Sequence, residues 1–359
     1  MNSEKKIMAF VRLGEIIRKF AVDSTSNSIL KEATIKASQS NGWFTQENLR
    51  LAIESIGNML MEEKIRKWVL NYKLEIANNE LAIKKLKSIG VIMAGNIPLV
   101  GFHDFFCVLM SENIFAGKLS SEDEHLLPAV AKILMEIEPA FANRIHFTNQ
   151  LINQSTNVSA FIATGSNNSA KYFEYYFRKY PHIIRRNKNA IAILDGTEKE
   201  KDLKNLGKDI FQYFGLGCRN VSNIFIPKNY DLNKFFAAIE DFGDVINHNK
   251  YYNNYNYYKC IYLLNQSIFL DNGFLILKED ERIASPVSTL HYERYADISA
   301  LIKKNSLLKE QIQCVVSVSS MIPLINEQGM NGLMFGRTQS PELWDYADGV
   351  DTMEFLLSL

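Results

Sequence analysis

From about Val91 the chain alternates short apolar runs with amphipathic stretches, and few architectures accept that texture. VIMAG (91–95) reads as a strand running into a loop, with a helix from Phe102. IFAG (114–117) reads as the next strand and LLPAVAKILMEI as the next helix. SAFIATGS (159–166) reads as a strand leading into the helix NSAKYFEYYF. Repeated strand-to-helix units of this kind predict an α/β fold with doubly wound parallel sheet. A second block opens at AIAIL (190–194), followed by a helix through Leu203, Leu206, Ile210, Phe211 and Phe214, and then by the glycine-rich stretch around Cys218.

The first 85 or so residues read as helical. Leu49, Ala52, Ile53, Ile56, Met59 and Leu60 recur at helical spacing behind Thr45, a residue suited to cap a helix N-terminus. Four segments follow from the texture: a helical region over 1–87, a first α/β lobe over 88–189, a second over 190–320, and a C-terminal return over 321–359. The last of these, ending DYADGVDTMEFLLSL, is expected to pack back onto the body.

Composition removes whole classes of function. Lys plus Arg equal Asp plus Glu, 40 against 40, so the global field gives no reason to expect nucleic acid as a partner. Apolar residues make up 47% and charged residues 22%, which excludes a disordered chain. The opening MNSEKKIMAFVRLGEIIRKF is an amphipathic helix and no signal segment, and no run is long enough to span a membrane. Cys107, Cys218, Cys260 and Cys314 lie far apart, without metal-ligand spacing or a CxxC pair, so reduced thiols and a cytoplasmic location are expected. Cys107, Cys260 and Cys314 sit in apolar company and read as small buried hydrophobes.

Cys218 differs. Gly215-Leu216-Gly217-Cys218 sets a thiol just past a helix, where the backbone permits close approach of a ligand, and Arg219 follows at once. A neighbouring cation and free backbone N–H groups favour the thiolate, the form that attacks carbonyl and thioester carbon. Asn96, in Gly95-Asn96-Ile97-Pro98-Leu99, ends a strand: it reads either as a turn residue or as a neutral N–H donor for an oxyanion. Thr164-Gly165-Ser166-Asn167-Asn168-Ser169, between strand and helix, suits a pyrophosphate held by backbone amides and hydroxyls, although the G-x-G-x-x-G spacing is absent. The Tyr- and Asn-rich stretch YYNNYNYYKC (251–260) reads either as a stacking surface or as cover for an apolar wall, and the second is preferred.

In this order and spacing the three loops resemble those of the aldehyde dehydrogenase superfamily: a P-x-N-x-P-L-like loop, a T-G-S loop about seventy residues later, and a G-x-x-C nucleophile loop. GNIPL, ATGSNNSAKYFEYYF, YFGLGCRNVS and DYADGVDTMEFL are similar, more closely, to the acyl-CoA reductase family, which includes the reductase subunit of the bacterial bioluminescence fatty-acid reductase complex. The resemblance spans roughly residues 88–359. It implies an aldehyde dehydrogenase-like fold, with a Rossmann-like cofactor lobe over 88–189, a catalytic lobe over 190–320 and an association segment at the C-terminus.

It further implies Cys218 as nucleophile, Asn96 as oxyanion donor, and Gly165 with Ser166 as contacts near the cofactor pyrophosphate. Lys118, in AGKLSSED, falls where the superfamily places an adenosine-ribose lysine. Three positions on, where NAD-preferring relatives carry a carboxylate, stands Ser121, so NADPH is the expected cofactor and NADH the alternative. An acyl-CoA is the expected substrate, an acyl-donating enzyme a possible partner, and a homo-oligomer, a dimer in the first instance, the expected assembly. No metal is expected.

The chain departs from the superfamily in two places. In ERIASPV (281–287) Arg282 and Ala284 replace a ribose-binding glutamate and a phenylalanine. Where hydrolytic members carry E-L-G-G, whose glutamate activates water, the chain reads IIRRNK (183–188), with no carboxylate. An acyl-enzyme on Cys218 would then await a thiol or a hydride, not water. Two rival readings stand beside this one. A cysteine acyltransferase or thioesterase would draw a base from His103, His125, His146, His182, His248 or His291, and a non-catalytic protein would retain the fold alone.

Overall fold

The computed structural model describes residues 2–72, 86–148 and 158–359. The chain divides into two compact units, Met1–Arg186 with Pro341–Leu359, and Asn187–Ser340.

The first unit begins with helices α1 (Ser3–Val22), α2 (Ser28–Ser40), α3 (Gln46–Met59) and α4 (Glu62–Asn71). Thr45 caps α3 as expected, its hydroxyl accepting the Asn48 N–H at 3.2 Å. The apolar stripe of α3 is buried from Leu49 to Met59. These helices share one core with the sheet behind them: the Phe10 ring meets Phe106 edge to face at 4.8 Å.

That sheet is wholly parallel among the described residues, in the order β3-β2-β1-β4-β5. Its strands are β1 (Ser88–Ile92), β2 (Ile114–Lys118), β3 (Ile145–Thr148), β4 (Val158–Thr164) and β5 (His182–Arg185). Helices α5 (Phe102–Met110), α6 (Leu126–Ile137) and α7 (Asn167–Phe177) follow β1, β2 and β4. The chain moves outward from β1 through β2 to β3, then restarts on the other side with β4. The order therefore reverses between β1 and β4, and ligands of open α/β sheets gather at the carboxyl ends of the strands beside such a reversal.

The second unit carries β6 (Asn189–Ile193), α8 (Glu200–Phe211), β7 (Val221–Pro227), α9 (Leu232–Ala238), α10 (Asn249–Leu264), β8 (Leu270–Asp271), β9 (Ile276–Glu279) and β10 (Thr289–Tyr295). It continues with α11 (Ile298–Ser306), β11 (Ile312–Ser317), α12 (Ile322–Glu327) and β12 (Gly332–Met334). The sheet order is β12-β11-β6-β7-β10-β9-β8, parallel except for the β8/β9 pair. Ala190, Ala192, Ile224 and Val316 bury one face, Ile191, Ile193, Phe225 and Val315 the other. Covering both faces explains the unbroken apolar runs AIAIL and NIFI.

The C-terminal helix α13 (Thr352–Ser358) belongs to the first unit, to which the chain returns at Pro341. The Trp68 indole donates to the Tyr346 hydroxyl at 2.8 Å and Tyr72 donates to Asp351 at 2.6 Å. No described helix is long and apolar enough to cross a membrane.

Two local expectations are corrected. Phe214 is not on α8: the helix ends at Phe211, and Tyr213, Phe214 and Gly215 adopt left-handed backbone at φ 53°, 57° and 76°. Cys260 is exposed on α10, not buried. The buried face of that helix is set by Tyr251, Tyr255 and Tyr262, at spacings of four and seven residues, and Cys260 falls outside it. The tyrosines thus cover an apolar wall, with Tyr251 donating to the Phe274 carbonyl at 3.0 Å.

Candidate active site

Four of the expected site residues stand on the carboxyl edge of the first unit's sheet, with Ser121 in the turn that follows β2. Lys118 is the last residue of β2, paired in register with Ile92 at the end of β1, and Ile92 pairs on its other side with Ala163 of β4. The Asn96 loop leaves β1, and Gly165 and Ser166 leave β4, so both loops flank the reversal of strand order.

The Asn96 loop lies against the loop after β2. A side-chain carbon added at Gly95 would come 2.5 Å from the Ser120 hydroxyl, so only glycine permits this approach. Asn41, at the end of α2, donates to the Gly95 carbonyl at 3.4 Å and to the Glu122 carbonyl at 3.3 Å. Leu99 closes the loop in left-handed backbone at φ 61°, and its N–H donates to the buried Asp123 carboxylate at 2.8 Å. Asn96 itself is exposed, as is Ser121 on the neighbouring turn, and Lys118 is half-buried.

Ser166 caps α7, accepting the Ser169 N–H at 3.1 Å. Gly165 packs against Ser169 and Phe173, where a side-chain carbon would lie 2.9 and 3.0 Å from their atoms. The outcome is a bare, close strand-to-helix turn at the start of an eleven-residue helix, and backbone N–H groups at such a start favour a phosphate.

Cys218 stands in the second unit, exposed, in a turn closed by the Asn220 N–H donating to the Gly217 carbonyl at 3.0 Å. The turn precedes β7 and so lies at the amino edge of its sheet. Asn220 is buried and does most of the fastening. Its side-chain oxygen accepts the Gly217 N–H at 2.8 Å, and its amide donates to the carbonyls of Asp209 at 3.0 Å, Ile210 at 3.3 Å and Gln212 at 2.8 Å. One side chain thus caps the open C-terminal end of α8 and ties the thiol loop to it. Asp209 in turn accepts the Gly336 N–H at 2.6 Å and the Thr338 N–H at 3.1 Å, and burial pushes its carboxyl up to about 6.

The two departures in sequence also take definite form. Arg185, at the end of β5, is buried and holds Asp104 of α5 with two bonds, at 2.5 and 2.8 Å, and Thr352 of α13 at 2.9 Å. Arg282 pairs with Asp280 at 2.6 Å, which holds the Asp280 carboxyl far below the usual carboxylate range. The Arg282 carbonyl accepts from Asn223 at 2.9 Å and lies 2.9 Å from Nδ1 of His291, a buried imidazole held below its ordinary value by desolvation. His103 is engaged locally, Nε2 lying 2.9 Å from the Leu343 carbonyl. No group of His, Cys, Asp and Glu among the described residues could hold a metal ion.

Sequence reasoning missed Asn41, Asp123, Asn220 and the Arg185–Asp104 pair. Asn220 had a legible signal, an amide three residues after Gly217 in a turn. The others act across gaps of up to 81 residues, which no local pattern reports.

A parallel sheet that reverses at β1/β4, followed by a second parallel sheet bearing an exposed, braced thiol, defines the class as an aldehyde dehydrogenase-like α/β fold. Among solved structures the chain is similar to aldehyde dehydrogenase 21 of Physcomitrella patens, in complex with the reaction product succinate. The TM-score is 0.67 and the identity 10%, over 100% of this chain and 84% of that one. An indole-3-acetaldehyde dehydrogenase of P. syringae, in complex with NAD+, gives 0.65 and 11% over 91% and 75%. An aldehyde dehydrogenase of Bacillus cereus, also with NAD+, gives 0.64 and 11% over 91% and 74%. At such identity the likeness is one of fold. No family model matches the chain, and no curated protein matches it in sequence.

Proposed function

We propose that this chain is a nicotinamide-dependent oxidoreductase of the acyl-CoA reductase kind, forming an aldehyde from an acyl thioester through an acyl-enzyme on Cys218. The observation that carries the reading is the exposed Cys218 thiol, held on a turn that the buried Asn220 fastens.

The donor set suits a dinucleotide. The turn at Gly165 and Ser166, whose Gly165 N–H donates to the Arg185 carbonyl at 3.3 Å, leads a pyrophosphate to the start of α7 in this reading, while Lys118 and Ser121 offer a cation and a hydroxyl to an adenosine 2′-phosphate. Asp123, two residues beyond Ser121, is committed to Leu99 and not to a ribose. When bound, the reduced nicotinamide supplies the hydride that brings the thioester to the aldehyde level.

The chain's own part is covalent and electrostatic. The Cys218 thiolate adds to the thioester carbonyl, the bond from carbon to the CoA sulfur breaks, and the CoA thiolate leaves to take up a proton. After reduction the bond from carbon to Cys218 Sγ breaks, releasing aldehyde and restoring the thiolate. Both steps build charge on the same oxygen, and Asn96 is its side-chain donor in this reading, worth ~3–4 kcal/mol by the usual effect of one oxyanion donor. The stretch 183–188 favours reduction over hydrolysis. It holds no carboxylate to activate water, and Arg185 is consumed by Asp104.

Purified protein with NADPH or NADH and acyl-CoAs from acetyl to long-chain, followed at 340 nm, tests the reading. Acyl-CoA-dependent loss of absorbance with aldehyde as product is expected. Hydrolysis without cofactor consumption would establish a thioesterase instead, and no turnover with any acyl-CoA would remove the enzymatic reading.

A further inference from the structure

The Asn96 loop is held at both ends by buried side chains from elsewhere in the first unit. Asn41 holds the Gly95 carbonyl, and Asp123 holds the Leu99 N–H. Between them stand only Asn96, Ile97 and Pro98, and Pro98 has no N–H to add. Left-handed backbone at a residue with a side chain costs roughly 1–2 kcal/mol, and Leu99 adopts it at φ 61°. Something must hold that conformation against relaxation.

Asp123 is placed to do so. Its own N–H closes a turn onto the Ser120 carbonyl at 3.1 Å. One carboxylate oxygen, Oδ1, is buried with no hydrogen-bond partner among the described atoms. Burial pushes the carboxyl up to about 6, so a group costly to bury is kept against the Leu99 N–H.

We propose that Asp123 is a positioning residue, whose carboxylate on the Leu99 N–H sets the conformation of the 95–99 loop and thereby of the Asn96 amide. The catalytic consequence rests on the reading of Asn96 as oxyanion donor. The loop geometry does not.

Asp123→Ser removes the latch: the shorter side chain falls short of Leu99, whereas Asp123→Asn keeps an acceptor of full reach. Hydrogen exchange at the Leu99 amide should quicken by about tenfold or more in the Ser variant and return to within about threefold of wild type in the Asn variant, with α6 still protected. Unchanged Leu99 exchange in the Ser variant would overturn the proposal, as would equal loss of protection along α6.

Turnover supplies the second arm. Asp123→Ser should lower kcat for acyl-CoA reduction by roughly ten- to a hundredfold with little change in KM for the cofactor, and the Asn variant should recover most of it. In an Asn96→Ala background the same substitution should cost less than about twofold, because the group it positions is gone. Fully additive losses would show that Asp123 does not act through Asn96. A wild type that reduces no acyl-CoA defeats the functional reading, and the exchange measurement still decides the latch.

Discussion

Cys218 and Cys260 are both exposed, but only Cys218 stands where the backbone has been bent to present it. Three consecutive left-handed residues, two of them aromatic, precede it, and such conformations persist only where surrounding contacts over-determine them. The Phe214 ring, 4.2 Å from that of His248, is one such contact. Alkylating reagents should therefore reach both thiols, while only one carries acyl groups. Cys218→Ala should abolish the acyl-enzyme detected by mass spectrometry after incubation with acyl-CoA, and Cys260→Ala should leave it intact. Acyl mass found on a Cys260 peptide would reverse the assignment. The candidate nucleophile was legible in sequence because Gly215 and Gly217 precede it. The exposure of Cys260 was not, because YKCIYLL reads as apolar whichever face of α10 is buried.

At the scale of elements, the end of α8 depends on Asn220 outside the helix and on Asp209 within it. Asn220→Ala leaves three carbonyls and the Gly217 N–H without this partner, and should cost about 2–4 kcal/mol in urea unfolding together with a fall in kcat. A stable variant with unchanged kcat would show that the turn holds itself. Asp209 makes a separable prediction. Its carboxyl sits at about 6 in the folded chain against 3.8 ordinarily, so the folded state binds more protons between those values and stability falls as pH rises through them. Asp209→Asn removes that titration. Relative to wild type it should gain stability between about pH 4 and pH 7, by ~3 kcal/mol at most. Parallel pH profiles of the two proteins would refute it. Strands β1, β2, β4 and β6 and helices α3, α5, α6, α7 and α8 were readable from apolar period and turn chemistry, whereas these braces join residues that meet only after the sheet has formed.

At the scale of the molecule, the edge of the first sheet gathers Lys118 and the loops of Asn96 and Gly165 from three separate strands. If the 2′-phosphate sits at Lys118 and Ser121, Lys118→Ala should lower kcat/KM for NADPH by roughly ten- to a hundredfold and for NADH by much less, since a charge-assisted bond to phosphate is worth ~1.5–3 kcal/mol. Equal losses with both cofactors would move the phosphate elsewhere.

The sequence alone determined the α/β class, the strand-to-helix alternation from Val91, the candidate nucleophile and the candidate cofactor loops, because each is written in local period, turn residues and motif spacing. Tertiary structure decided which polar side chains hold those loops. Asn41, Asp123 and Asn220 look like any other polar residue until folding buries them, and a buried polar group must then find partners. It also decided the fate of Arg185, which sequence marked only as a missing carboxylate and which the fold joins to Asp104 and Thr352 in a buried cluster. Burial is a property of the assembled chain, and it is burial that converts these residues from solvated side chains into fixed parts of the fold.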